Sequence, residues 1–297
     1  MDTLACSSFS VSPQELNVLI GTPAAPTLLD VRPQHRFANA THILAGAKRC
    51  PAEELEQFAL NLPTGEIIVY CVHGHQVSQG AAELLREAGW NARYLAGGIE
   101  GGEPNVDQTE DINHWRATRL LTIKKRPDLG VTGERPSRFI TRERPKIDRI
   151  ACPWLVRRFI DRQAEFIYVP TEMVLSEAAK RDAVAYDLPG APITHDGDLC
   201  SFDSLLAAFQ LQEDPALSTL AQIVRGADTD RLSLAPQAAG LLAFSLGLSS
   251  LNPKDDLAML EAAMPLYDAL YAWCRTQVEG QRESHSWKPE LMAGAQA

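Results

Sequence analysis

No apolar run among the 297 residues approaches the roughly 20 that a membrane helix needs, so neither a spanning helix nor a membrane partner is expected. Met1 to Ser10 lacks a basic start followed by an apolar stretch, so no secretory leader is expected and the cytoplasm is the expected compartment. Cysteine is sparse and makes no CxxC pair: Cys6, Cys50, Cys71, Cys152, Cys200 and Cys274 are scattered along the chain. In a large chain without a leader, that pattern argues against a disulfide framework and leaves room for one reactive thiol. Internal repeats and low-complexity tracts are absent as well. Net positive charge is also lacking. The formal charge is −10, which argues against general nucleic-acid binding.

What is present is ordinary globular composition, 45% hydrophobic and 22% charged, at a length that suggests about two domains. The charge is uneven. From Arg116 to Arg158 there are thirteen Lys/Arg against four Asp/Glu, a surplus of nine that leaves the rest of the chain at −19. This basic band reads either as a solvated linker docked on acidic bodies or as an anion site, and the sequence leaves both open.

The first hundred residues alternate strand and helix signals. Thr27–Val31, Glu66–Tyr70 and Ala92–Leu95 read as short strands, Pro51–Leu60 and Ser78–Ala88 as helices, and Gly89 as a stop. Such alternation predicts a parallel sheet covered by helices. Gly97 to Asn113 reads as a loop, with one more helical turn around Trp115. Arg126 to Pro145, rich in proline, glycine and charge, reads as a linker. The second half reads mainly as helix: Pro153–Arg162, Thr171–Arg181, Ser201–Leu211, Pro215–Gly226, Pro236–Leu248 and Pro253–Thr276, with Asp214 and Asn252 as caps and Phe166–Val169 as a lone strand. The expected organisation is an α/β domain over 1–125, a linker over 126–137 and a mostly α-helical domain with a small strand content over 138–297.

Tyr70 ends an expected strand. Cys71 follows at once, then Val72, His73, Gly74, His75, Gln76 and Val77, and a helix opens near Ser78. In open α/β sheets ligands lie beyond the carboxyl ends of the strands. A loop there, leading into a helix N-terminus, turns backbone N–H groups inward and cradles negative charge. Helix dipole and donors together favour a thiolate. That is what a persulfide carrier needs: attack on a sulfane sulfur donor, then a held Cys–S–S⁻ until a thiol or cyanide takes the outer sulfur. An isolated cysteine is more often a small buried hydrophobe, and it is the strand–Cys–Gly loop–helix context that favours chemistry at Cys71.

Residues 20 to 121 resemble a single rhodanese domain. The resemblance rests on Leu28-Leu29-Asp30-Val31-Arg32, on His42-Ile43 with Gly46-Ala47, on Cys71-Val72-His73-Gly74, on Leu95-Ala96-Gly97-Gly98 and on Trp115. It implies a rhodanese-like α/β fold, a persulfide on Cys71, bracing of the sheet edge by Asp30 and Arg32, a small-molecule sulfur donor, a thiol or cyanide acceptor and no cofactor for the transfer. Many relatives carry arginine two positions after the loop glycine. Gln76 stands there instead, with His73 and His75 left to supply positive charge, so either weak thiosulfate turnover or a different donor is expected. Val77 stands where a Cys-dependent phosphatase would need arginine.

Arg135 to Arg275 resembles the C-terminal domain of ChrB-type chromate-resistance proteins. The matching runs are Thr141 to Trp154, Thr194 to Asp203, Ile223 to Asp228 and Leu234 to Gly240. The resemblance implies a link to chromate or a related oxyanion and brings no catalytic set with it. Regulatory members carry a DNA-binding N-terminal part; a rhodanese-like domain holds that place here, so transcriptional control is not expected. From the residues themselves, Lys146, Arg149 and Cys152 form an oxyanion candidate if Pro153 opens a helix. His195, Asp198 and Cys200, with Asp228 arriving from elsewhere, form a transition-metal candidate whose spacing matches no strong motif. Two other readings stay open: an oxidant or sulfane-sulfur sensor at Cys71, and a metal-dependent oxyanion-detoxifying redox enzyme in the second domain.

Overall fold

The computed structural model describes residues 9–61 and 63–280. Cys6 and most of the stretch searched for a leader lie outside them.

The N-terminal half runs β1 (Ser10–Val11), α1 (Pro13–Leu19), β2 (Thr27–Asp30), α2 (Gln34–Asn39), β3 (His42–Leu44), β4 (Lys48–Arg49), α3 (Leu55–Asn61), β5 (Glu66–Tyr70), α4 (Gln76–Glu87), β6 (Asn91–Leu95), α5 (Thr109–Ala117) and β7 (Thr122–Lys124). Strands β1, β6, β5, β2 and β4, in that order, form one sheet in which every pair is parallel. The residues of β5 explain why. Ile67 and Val69 point to one face and pack with Leu55, Ala82, Leu85 and Trp90 beneath α3 and α4. Ile68 and Tyr70 point to the other and join Leu16 and Ile20. A strand buried on both faces needs such a continuous apolar run. At the start of α1, the Ser12 hydroxyl accepts from the Glu15 N–H at 3.2 Å and the Glu15 carboxylate accepts from the Ser12 N–H at 2.8 Å, a reciprocal cap followed by Pro13 at the first helical position.

The C-terminal half contains β8 (Arg138–Arg142), α6 (Asp148–Leu155), β9 (Glu165–Val169), α7 (Val174–Arg181), β10 (Val184–Ala185), α8 (Ser201–Phe209), α9 (Pro215–Asp228), α10 (Ala238–Leu251) and α11 (Asp256–Val278). It is mostly helical, as expected, with a small parallel sheet ordered β10, β8, β9. The strand expected to stand alone therefore has a partner, because β8 begins inside the stretch read as linker.

Pro153 does not open a helix. It lies inside α6, which begins at Asp148 and continues into a wider turn over Val156–Ile160. A proline there cannot bond the carbonyl four residues back. That carbonyl, on Arg149, accepts instead from the hydroxyls of Tyr168 at 3.2 Å and Tyr186 at 3.3 Å. Asp214 caps α9 as expected, accepting from the N–H groups of Ala216 and Leu217. Asp255, rather than Asn252, caps α11.

One hydrophobic core crosses the boundary between the halves: Leu16, Ile20, Leu28 and Ile43 share it with Trp154, Phe159, Phe202 and Leu220. The Phe159 ring occupies the space a side chain on Gly21 would need, and the Phe159 carbonyl accepts from the Gly46 N–H at 2.7 Å. The stretch read as a linker is a strap fixed on both sides. The Arg126 guanidinium donates to the Ala208 carbonyl at 3.1 Å, and the Arg49 N–H donates to the Gly133 carbonyl at 2.6 Å. The basic band is stapled down as well: Arg138 pairs with Glu165, Arg142 and Arg149 with Asp187, Arg157 with Glu261 and Arg158 with Asp268. Among the described residues no helix is long and apolar enough to cross a membrane.

Candidate functional sites: the Cys71 loop and an acidic–histidine centre

Cys71 leaves the carboxyl end of β5 and α4 begins at Gln76, so the loop and the first turn of the helix enclose the thiol. Cys71 is buried, and its Sγ lies 3.1 Å from the Ser78 Oγ, in the first turn of α4. The loop is held from above by the Gly97–Gly98 turn. The Ile99 N–H donates to the Cys71 carbonyl at 3.1 Å and the Glu100 N–H to the Val72 carbonyl at 2.9 Å. The first-turn N–H groups of a helix have no intrahelical acceptor and favour an anion facing them.

His73, Gly74 and His75 border a cleft of about 580 Å³ that also takes in Glu15, Tyr94, Asp107, Asp111, His114 and Trp115. His73 Nδ1 lies 3.2 Å from the Gly102 carbonyl. His75 Nε2 sits 2.9 Å from an Asp107 oxygen, with Glu103 3.6 Å from its other nitrogen. Neither lysine nor arginine lines this cleft among the described residues. The histidines expected to stand in for the missing arginine are thus engaged by carbonyl and carboxylate partners.

Asp30 and Arg32 sit directly behind the loop. Both are buried, and the Arg32 guanidinium donates to Asp30 at 2.5, 2.9 and 3.0 Å. The Tyr70 hydroxyl donates to the same carboxylate at 2.8 Å, and Tyr70 immediately precedes Cys71. The pair therefore fixes the end of the strand that delivers the thiol.

A second cluster forms in the C-terminal half. His195 Nε2 lies 3.1 Å from Asp228, 3.4 Å from Asp187 and 3.6 Å from Asp148. Asp148 opens α6 and Asp228 closes α9, while Asp187 and His195 come from the segment between β10 and α8. Asp148 is fully buried. It accepts from the Ser201 N–H at 2.5 Å, and Asp187 accepts from the Ser201 hydroxyl at 2.9 Å. Burial, then the nearby Asp228 and Asp187 carboxylates, push the Asp148 carboxyl well above its usual range. Burial and Asp187 push Asp228 the same way.

Residues 12–103 match the rhodanese-like domain family, and residues 139–274 match the ChrB C-terminal domain. The chain joins a rhodanese-like domain to a ChrB C-terminal domain. Protein ChrB of Cupriavidus metallidurans is 36% identical over 208 residues, covering 64% of this chain and 61% of that protein. The chain thus spans about three fifths of that relative's length. A rhodanese homolog from Thermus thermophilus is 30% identical, covers 31% of this chain and 96% of its own, and gives a TM-score of 0.26. A rhodanese-related protein from Thermoplasma volcanium is 29% identical, with coverages of 31% and 86% and a TM-score of 0.26.

In the rhodanese-like domain the structure gathers the residues the sequence singled out, Cys71 to Val77 with Asp30 and Arg32 behind them, and adds Ser78. In the ChrB domain it divides them. His195 and Asp228 come together, joined by Asp148 and Asp187, which sequence spacing did not suggest. Asp198 is exposed and pairs with Arg231. The Cys200 sulfur accepts from the Asp203 N–H at the head of its own helix, and burial pushes its thiol far up. The oxyanion candidate is not built as expected. Arg149 is engaged with Asp187 and with the Arg142 and Glu143 carbonyls. Cys152 is buried within α6, its thiol pushed well up by that burial. Lys146 lies before the helix start rather than beside Pro153.

Proposed function

We propose that the rhodanese-like domain transfers sulfane sulfur through a persulfide on Cys71. The observation that carries this is the placement of the Cys71 thiol between a strand end and the first turn of α4, with the Ser78 hydroxyl 3.1 Å from the sulfur. The thiolate attacks the outer sulfur of a donor R–S–S⁻. That sulfur is carried as Cys71–S–S⁻ while R–S⁻ leaves. An acceptor thiolate or cyanide then attacks the outer sulfur and restores the Cys71 thiolate. The helix N-terminus offers positive electrostatic potential to the persulfide. No cofactor is needed.

The other described cysteines suit this chemistry less. Burial raises the Cys50 thiol to about 11 and the Cys274 thiol to about 12, and it pushes Cys152 and Cys200 up further. A thiol with a pKa of 11 is ionised to about one part in a thousand at pH 8, too little to compete as a nucleophile.

The cleft also speaks to the donor. It lies beside the thiol loop, bordered by His73, Gly74 and His75 and not by Cys71 itself. With Glu15, Asp107 and Asp111 on its walls and neither lysine nor arginine among the described residues, it offers little to a dianion such as thiosulfate approaching along it. The persulfide group of a small thiol is singly charged and suits these walls better. The resemblance of the second domain to ChrB-type chromate-resistance proteins connects this chemistry to chromate or a related oxyanion.

The expected result in a thiocyanate-release assay is turnover with a low-molecular-weight persulfide at least about tenfold faster than with thiosulfate, and loss of both in Cys71→Ser. Equal turnover in Cys71→Ser and wild type would overturn the proposal.

A further inference from the structure

We propose that the ChrB domain holds one divalent transition-metal ion on Asp148, His195 and Asp228, with Asp187 beside them. One donor atom from each of the first three residues lies within 4.8 Å of the other two. His195 Nε2 stands 3.1 Å from Asp228 Oδ2 and 3.6 Å from Asp148 Oδ2. Ligands about 2.1 Å from a common ion sit about 3.0–3.4 Å apart in octahedral or tetrahedral geometry. The two separations from His195 are near these values, and the third pair of donors lies within 4.8 Å.

A second observation points the same way. Asp148 is fully buried, and its Oδ1 atom has no hydrogen-bond partner among the described residues. A buried carboxylate oxygen left without a donor costs stability unless a cation or a proton takes it. Arg142 and Arg149 do not serve: both reach the Oδ2 atom of Asp187. Among the described residues, neither Asp148 nor Asp228 forms an ion pair with lysine or arginine. Three carboxylates thus converge on one imidazole, with arginine at one of them only.

The surroundings resemble a metal site's supporting groups. Ser201 holds Asp148 through its N–H and Asp187 through its hydroxyl, and the Asp148 N–H donates to Asp228 Oδ1 at 3.4 Å. Bonds of this kind orient ligand carboxylates. The His195 side chain is 42% exposed, which leaves an entry path and a face for water or an oxyanion. One imidazole with several carboxylates selects ions such as Mn²⁺, Fe²⁺ or Zn²⁺ over soft ions that demand thiolate. Of the two nearby cysteines, Cys152 lies in the core, while Cys200 caps its own helix and its thiol also interacts with the Asp148 carboxyl.

The test uses the full chain after chelator treatment and dialysis, titrated with Mn²⁺ and separately with Zn²⁺ by calorimetry, with elemental analysis of the loaded protein. The expected result is one ion per chain for at least one of the two metals, with affinity lowered at least about tenfold in His195→Ala and in Asp228→Asn. Asp198→Asn, at an exposed carboxylate outside the cluster, should bind as the wild type does. Circular dichroism of each variant distinguishes lost ligation from lost fold, and His195 is exposed enough for its replacement to be tolerated. Failure of both metals to bind stoichiometrically would overturn the proposal. So would binding of that ion unchanged in a folded His195→Ala or Asp228→Asn variant.

Discussion

Asp30→Ala will destabilise the protein by about 3–5 kcal/mol, a large part of a typical domain's total stability. The carboxylate is fully buried and accepts from the Arg32 N–H and guanidinium and from the Tyr70 hydroxyl. Its removal leaves the Arg32 guanidinium, 5% exposed, with the His42 carbonyl as its remaining acceptor. An uncompensated buried charge is the costly outcome, more so than loss of the pair itself. Tyr70 also loses the acceptor for its hydroxyl, at the residue next to Cys71. Sulfur transfer should therefore fall along with stability. Urea denaturation followed by circular dichroism measures the first effect. Asp30→Asn, which keeps an acceptor and loses only charge, should cost less. A shift below about 1 kcal/mol in Asp30→Ala would mean that the pair does not brace the strand.

Gly74→Ala is the second large effect, and it acts on geometry at the site. Gly74 has φ of +80°, a region an L side chain rarely adopts. A Cβ there would lie 2.7 Å from the Gly97 and Gly98 nitrogens and 2.8 Å from the Leu95 carbonyl oxygen. These contacts are all backbone, so no side chain can rotate away. Relief requires the thiol loop and the Gly97–Gly98 turn to separate, opening the cradle around Cys71. Left-handed strain and overpacking together should cost about 2–4 kcal/mol. Persulfide formation should drop at least about a hundredfold in the protein that remains folded, since an ångström of misplacement is enough for that. Thermal unfolding and single-turnover sulfur transfer read the two parts separately.

The thiol loop was legible in the sequence because its parts are contiguous. A β-branched run, one cysteine, a loop glycine and a helical repeat lie within about twenty residues, and each has a local physical meaning. The helix begins at Gln76, two residues before the sequence signals it, since Gln76 and Val77 carry no cap signal. The sequence puts Ser78 at the helix start, and nothing local in it marks Ser78 as the thiol's partner. The acidic–histidine cluster was only half legible. Its members come from positions 148, 187, 195 and 228 and meet only through tertiary packing. Closeness in sequence favoured Asp198, whose side chain turns to Arg231, and Cys200, which caps its own helix and reaches the cluster only through Asp148. Pro153 misled for a similar reason. Proline reads as a helix start, and only the Tyr168 and Tyr186 hydroxyls, arriving from the small sheet, make it acceptable inside α6. The strap between the domains looked like a linker because proline, glycine and charge are what a linker has. Its anchors, Ala208 and Arg49, lie far away along the chain.

The most direct test of the account is intact-protein mass spectrometry after incubation with a low-molecular-weight persulfide, comparing wild type with Cys71→Ser. The account predicts a gain of about 32 Da in the wild type, one sulfur atom, removed by cyanide and absent from the variant. A wild type that gains no sulfur, or a Cys71→Ser chain that gains it equally, would contradict the assignment of sulfur transfer to Cys71.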